Sequence, residues 1–352
     1  MRQEFGKSVI KVQGRTVMDG GMLWLCSPLS EAGFRVTGAT EVKLVIRADD
    51  TVSDPARFGI RPRYIVRLDG EAVCPAACME KQEETLTVFS GAEARDGEVR
   101  LIKLSECTQS LMALKEIITD GTVGPLPEKE GKIEFIGDSI TCGYGVETDD
   151  PEEGFSTATE NAEKSYAAIV SDTLGMDRNL TAFSGHGIVS GYTDDPNIRQ
   201  TDELVPPFYE KAGRLGFRLP SGKLPEEIPW DFDRFRPQKI VVNLGTNDLS
   251  WCMEYADRKA EYSRLYAEFL KTVRRDNPQA KILCVLGIMG TGLNEAMVRA
   301  VEAYRAETGD PDIRALTVEE QDPADGYGAN YHPSEITQRR FAEKVIRALE
   351  EA

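Results

Sequence analysis

The residues best suited to chemistry sit where apolar runs stop abruptly. The run KIEFI ends in Gly137-Asp138-Ser139, with a second glycine at 143. A serine on a tight turn after a buried strand is held at the surface by rigid backbone, and its own amide can face the oxygen of an attacked carbonyl. An isolated G-D-S is more simply an N-cap for the segment that follows. A second run, KIVVNLG, leads into Thr246-Asn247-Asp248. There an asparagine side chain can donate to an oxyanion, although the same residues alone make an ordinary polar strand-end turn. A third segment, Ser184-Gly185-His186-Gly187, offers glycine amides to the same oxygen, and its spacing permits either Gly185 or Gly187. Its G-x-G-x-x-x-G pattern has no acidic residue at the ribose position, so it does not fit a dinucleotide site. The fourth, Tyr331-His332-Pro333-Ser334, puts a histidine just before the last helix. With 2 histidines in the chain, His186 and His332, Ser-His chemistry has to use one of them, and His332 is placed to reach a serine on a neighbouring strand end.

The elements that must position these residues follow two rhythms. Residues 1–128 contain short, partly alternating runs rich in β-branched residues (GFRVTG, TEVKLVIRAD, RYIVRLDG, ETLTVFSG, EVRLIKLS) separated by turn pairs such as Asp69-Gly70. They predict an all-β sandwich or jelly-roll domain with no helix of convincing length. The stretch 122–132, with two prolines, reads as a linker. From 129 to 352, apolar strands alternate with amphipathic segments: a helix over 162–174, a strand from about 179, strand 239–245, helix 258–275, strand KILCVLG, helix 293–307, strand IRALTV and helix 334–351. That alternation predicts an α/β domain with a parallel sheet covered on both faces. Ligands then bind beyond the carboxyl ends of the strands, where the four segments fall. The Pro-rich stretch 193–236 shows no periodicity, which in so long a connection points to a functional or disordered segment.

Composition narrows the partners. The 352 residues suffice for two domains, and 41% hydrophobic content fills two cores. A formal net charge of −17 repels phosphate backbones and anionic headgroups, so neither nucleic acid nor a membrane is an expected partner. No run approaches the ~20 apolar residues of a bilayer span. The opening MRQEFGKSVIKVQGRTV lacks a signal-peptide pattern, and 7 scattered cysteines suit a reducing compartment, so a cytoplasmic location is expected. Cys74 and Cys78 have no histidine nearby and read as ordinary thiols; no metal or cofactor is expected. A homo-oligomer is left open.

Together GDSIT, SGHG, GTND and YHPS resemble the blocks of the SGNH/GDSL hydrolase superfamily, in the family's order. The resemblance implies a flavodoxin-like three-layer catalytic domain and two-step acyl transfer. Ser139 would be the nucleophile and His332 its base, with the oxyanion held by the Ser139 amide, a glycine amide (Gly185 or Gly187) and Asn247. The β-rich half, with WDFDRFRPQKIVVNLGTND, is similar to carbohydrate esterase family 2, which removes acetyl groups from xylan and related sugars. An acetylated carbohydrate is therefore the implied substrate. The alternatives are a general short-chain esterase or lysophospholipase, or a carbohydrate-binding protein with a weakened site. One position departs from the family: an aspartate usually precedes the histidine by two or three residues, where this chain has Asn330 and Ala329. Asn330 is then a candidate to orient the ring through its side-chain oxygen; the resemblance equally implies a Ser-His dyad helped by a backbone carbonyl, as in some members of the family, with Asp322, Asp325 or Glu335 as other candidates. Tyr331, Trp230 and Trp251 are candidate platforms for a sugar ring.

Overall fold

The alternating apolar runs do become strands in the first part of the chain: the five runs join into three strands, two of them long, and six other strands accompany them. The computed structural model describes residues 9–351. Its strands are β1 (Lys11–Gln13), β2 (Thr16–Asp19), β3 (Met22–Leu25), β4 (Glu31–Ala48), β5 (Arg63–Leu68), β6 (Glu71–Cys78), β7 (Glu83–Lys103), β8 (Met112–Thr119) and β9 (Thr122–Pro125). GFRVTG and TEVKLVIRAD are two halves of β4, which runs on through register shifts between Val36 and Lys43. Such bulges bend a strand and raise its twist without ending it. All nine strands pair antiparallel in one sheet of order β2-β3-β8-β4-β7-β5-β6, with β1 and β9 on β4. Phe34, Leu44, Val99, Leu101 and Leu114 centre its core. The expected linker is partly structural: Val123 and its neighbours form β9, because their backbone completes the edge beside Phe34–Thr37. Two 3-10 turns, Asp50–Ser53 and Pro55–Ile60, also interrupt the strands.

The second rhythm gives β10 (Gly131–Gly137), α1 (Ser139–Cys142), α2 (Tyr166–Thr173), β11 (Met176–Ala182), β12 (Lys239–Asn243), α3 (Thr246–Cys252), α4 (Ala256–Asp276), β13 (Lys281–Leu286), α5 (Asn294–Thr308), β14 (Ile313–Thr317) and α6 (Glu335–Glu350). The five strands are parallel in the order β11-β10-β12-β13-β14. This is the flavodoxin-like order, and its direction reverses between β10 and β12, where such sheets bind ligands. Helices α2 and α6 pack together, as do α4 and α5. The charged Glu134 in the middle of β10 is buried and takes hydrogen bonds from Asn179 Nδ2 (3.0 Å), Thr181 Oγ1 (2.9 Å) and the Tyr209 hydroxyl (3.2 Å). Two of those donors, Asn179 and Thr181, account for polar residues in the wholly buried β11.

Two compact units result. One takes the chain up to Lys129 with Phe155–Glu160 and Lys211–Pro229; the other takes the remainder. The Pro-rich stretch is held by hydrogen-bonded turns and short bridges, such as Lys211 with Pro229 in the first unit and Gly187 with Leu204 in the second.

Candidate active site

Asp138 starts the site. Its carboxylate accepts from the Ile140 amide at 3.0 Å and caps α1, which sets Ser139 at the first helical position. The turn is tight enough that a Cβ at Gly137 would lie 2.0 Å from Thr141 Oγ1. In the first turn the Ser139 N–H has no intrahelical acceptor and stays available. The cap of this helix is thus Asp138 and not the serine, which leaves the Ser139 hydroxyl for another partner.

The Ser139 hydroxyl lies 2.9 Å from His332 Nε2. On the other side of the ring, Nδ1 lies 3.0 Å from the Ala329 carbonyl and 3.2 Å from that of Asn330. Carbonyls only accept, so Nδ1 carries the proton and Nε2 presents its lone pair to the hydroxyl. Burial lowers the His332 pKa to about 4, against the two carbonyls that raise it. The ring is thus neutral and ready to accept a proton at neutral pH. The Asn330 side chain does not orient the ring as expected. Its backbone carbonyl shares that task, while its amide donates to the Tyr144 hydroxyl at 2.6 Å. The other carboxylate candidates are engaged elsewhere: Asp325 with Arg340, Glu335 with Lys164 and Arg339, and Asp322 as the cap of Ala324.

A cleft of about 590 Å³ joins Ser139, Gly185, Asn247, Tyr331 and His332. Gly185 adopts φ +77°, open to glycine, and its N–H donates to no described residue. Gly187 is not placed to donate. Its N–H is taken by Glu203 O at 3.1 Å, and its lack of a side chain is required by packing, since a Cβ would meet Ser190 O at 2.1 Å. Asn247, at the second position of α3, donates from Nδ2 to His186 O at 2.9 Å and to Asp138 Oδ2 at a longer 3.3 Å. The second histidine is structural: His186 is buried, with its ring against Phe183 and Phe208.

Both tryptophans fall outside the cleft. Trp230 is buried with Arg234 over its ring, and Trp251 is buried between Arg199 and Arg258. Their places at the cleft are taken by Tyr331, 50% exposed with its hydroxyl on Glu152, and by Tyr192, 54% exposed with its hydroxyl on Asp194 at 2.8 Å. Tyr192 lies just ahead of the aperiodic stretch and carries no motif, so sequence reasoning passed over it.

Asp248 was also missed, although it sits in the same GTND segment. Its buried carboxylate accepts from the Ile188 (2.9 Å), Val189 (2.6 Å) and Ser190 (3.1 Å) amides and so fixes the loop that carries Gly185. Burial raises its pKa to about 6 and the three amides oppose the rise, so the carboxylate is largely ionised at neutral pH. Asp248→Asn turns an NH₂ or a single oxygen toward donors that need a carboxylate. It is expected to cost about 2–3 kcal/mol at pH 7, read as a lower urea midpoint.

The GDSL-like lipase/acylhydrolase family profile matches residues 135–340. A cellulase/esterase of Acetivibrio thermocellus (CelE) is 35% identical over 75% of this chain and 29% of that protein. An acetylxylan esterase/glucomannan deacetylase of Cellvibrio japonicus is 30% identical over 65% of this chain and 60% of that protein. The chain thus spans less than two thirds of either relative. Among solved structures, a family two carbohydrate esterase from Clostridium thermocellum in complex with cellohexaose superposes with a TM-score of 0.81 at 29% identity, covering 97% of this chain and 98% of that one.

Proposed function

The chain belongs to the GDSL-like lipase/acylhydrolase family, and on that premise we propose that it is a serine esterase that removes O-acetyl groups from carbohydrate. The observation that carries this is the 2.9 Å contact between Ser139 Oγ and a His332 whose Nδ1 is already engaged, at the floor of an open cleft. As Ser139 attacks the acetyl carbonyl, its proton passes to His332 Nε2. The Ser139 and Gly185 amides and Asn247 Nδ2 receive the oxyanion. On collapse, the Nε2 proton goes to the leaving sugar oxygen, and an acetyl-serine remains for water to hydrolyse by the same route. Among the described residues no carboxylate is bonded to His332; two backbone carbonyls hold the ring and face the imidazolium as it forms.

Three features support a sugar as the leaving group. One relative is named for acetylxylan and glucomannan deacetylation, the described residues lining the cleft include no charged side chain, and Tyr331 offers an exposed aromatic face beside His332. The reading extends to a jelly-roll path for the first unit, supported by all-antiparallel pairing along strongly bulged strands. It also extends to a cytoplasmic setting, supported by seven free cysteines. The test is turnover of p-nitrophenyl acetate, butyrate and octanoate by the wild type and by Ser139→Ala, followed by acetylated xylo-oligosaccharides. Expected is Ser139-dependent turnover that is fastest on acetate and extends to the sugars. Rates that rise with acyl length would assign the protein to lipid-like esters instead.

A further inference from the structure

A catalytic histidine is commonly oriented by a carboxylate that fixes its tautomer and its plane. Among the described residues no carboxylate is bonded to His332, and two carbonyls on one edge fix the tautomer while leaving the ring free to tilt about that edge. The plane is held by a different group. The Tyr144 ring lies against the imidazole with centroids 4.0 Å apart and planes 23° from parallel. Tyr144 is itself tied at both ends. Its amide donates to the Ser139 carbonyl at 3.1 Å, and its hydroxyl accepts from Asn330 Nδ2 at 2.6 Å. Asn330 holds φ 49°, ψ 41°, a left-handed conformation that asparagine tolerates better than most side chains. That conformation lets one residue put its carbonyl at Nδ1 and its amide at Tyr144.

We propose that Tyr144, locked by the Asn330 amide, is the positioning residue of His332, fixing the imidazole plane against Ser139 and facing the imidazolium with its ring. This rests on the esterase reading above. An aromatic face attracts a cation, so the stack strengthens as the Ser139 proton reaches Nε2 and relaxes when that proton leaves with the sugar oxygen. It also explains position 330. An aspartate there would accept a hydrogen bond from the Tyr144 hydroxyl where the asparagine amide donates one, and would put a charge beside the stack.

Among the described residues, the titratable group stacked on the ring is the Tyr144 phenol. The acidic residues close to the ring along the chain or through its bonded neighbours are Asp138, bonded to Ile140 and Asn247, Glu152, bonded to the Tyr331 hydroxyl, Asp325, paired with Arg340, and Glu335, paired with Lys164 and Arg339. Burial is the larger cause of the low His332 pKa, so admitting water to the face that Tyr144 covers should raise it, although loss of the aromatic face acts the other way.

The experiment compares wild type, Tyr144→Phe, Tyr144→Leu and Asn330→Ala in two readouts. One is kcat and KM on p-nitrophenyl acetate, which has no sugar to contact the cleft. The other is an NMR titration of the imidazoles, which with 2 histidines gives two assignable signals. Tyr144→Leu is expected to lower kcat roughly ten- to hundredfold with KM within about twofold, and to raise the His332 titration by about one pH unit. Tyr144→Phe keeps the stack and should retain the wild-type titration; Asn330→Ala should fall between. A Tyr144→Leu protein with wild-type kcat and an unmoved titration overturns the proposal. The titration needs no turnover, so an inactive wild type would defeat the esterase reading while the stack was still tested.

Discussion

Replacing either Ser139 or His332 by alanine is expected to lower acetyl-ester turnover by about 10⁴- to 10⁶-fold, and replacing both should cost little more than either alone. The reason is geometric. With Oγ and Nε2 2.9 Å apart, the hydroxyl has one proton acceptor and the imidazole one proton source. Each group is useless without the other, and their losses do not add. The residue of activity left in all three variants would come from the oxyanion donors and from binding. The acid limb of kcat/KM is expected low. His332 must be neutral to accept a proton, and burial holds its pKa at about 4, so activity should be flat from about pH 5 upward to neutrality and fall below about pH 4. A limb near the ordinary histidine value of about 6.5 would mean that water reaches the ring in solution. Steady-state rates on p-nitrophenyl acetate, whose background hydrolysis is slow in acid, check both points. A double variant far below either single one would mean that the two residues act in separate steps.

The sheet and its reactive edge were legible because buried parallel strands read as continuous apolar runs, and because the polar segments that end them have few other reasons to carry Ser, Asn and Gly together. That Ser139, Asn247 and His332 meet at one cleft could be read from type and position, and with 2 histidines the partner of the serine was a choice between two. What failed depended on directions that sequence does not encode. Gly185 and Gly187 are equivalent in spacing, and only the path of the loop shows that the Gly187 amide is spent on Glu203. Trp230 and Trp251 are near Asn247 in sequence, yet each is covered by guanidinium groups and packed away from the cleft. Asn330 was read as a side chain facing the histidine, but its left-handed backbone turns the carbonyl there and sends the amide to Tyr144. The long strands β4 and β7 looked like pairs of short ones because bulges interrupt the alternation without interrupting the pairing. Asp248 was hidden for a simpler reason. A carboxylate that serves three backbone amides leaves no pattern in its own neighbourhood.

Asn247→Ala is expected to lower kcat on acetyl esters by about 10²- to 10³-fold while changing KM less than about threefold, because the lost donor serves charge that develops only in the transition state. Its two resting hydrogen bonds are unequal. The 2.9 Å bond to His186 O anchors the amide to the loop that carries Gly185, whereas the 3.3 Å bond to Asp138 Oδ2 is long and is the one that an oxyanion can replace. The ground state thus holds the amide in place with little rearrangement left to do. Asn247→Asp should be at least as damaging as alanine, since a second buried carboxylate beside Asp138 repels both that group and the oxyanion, and it would accept where the His186 carbonyl requires a donor. The comparison separates donation from shape, because aspartate keeps the volume of asparagine and reverses its chemistry. If Asn247→Ala kept kcat within tenfold of wild type, the Ser139 and Gly185 amides would suffice for the oxyanion, and Asn247 would serve chiefly to tie the glycine loop to α3.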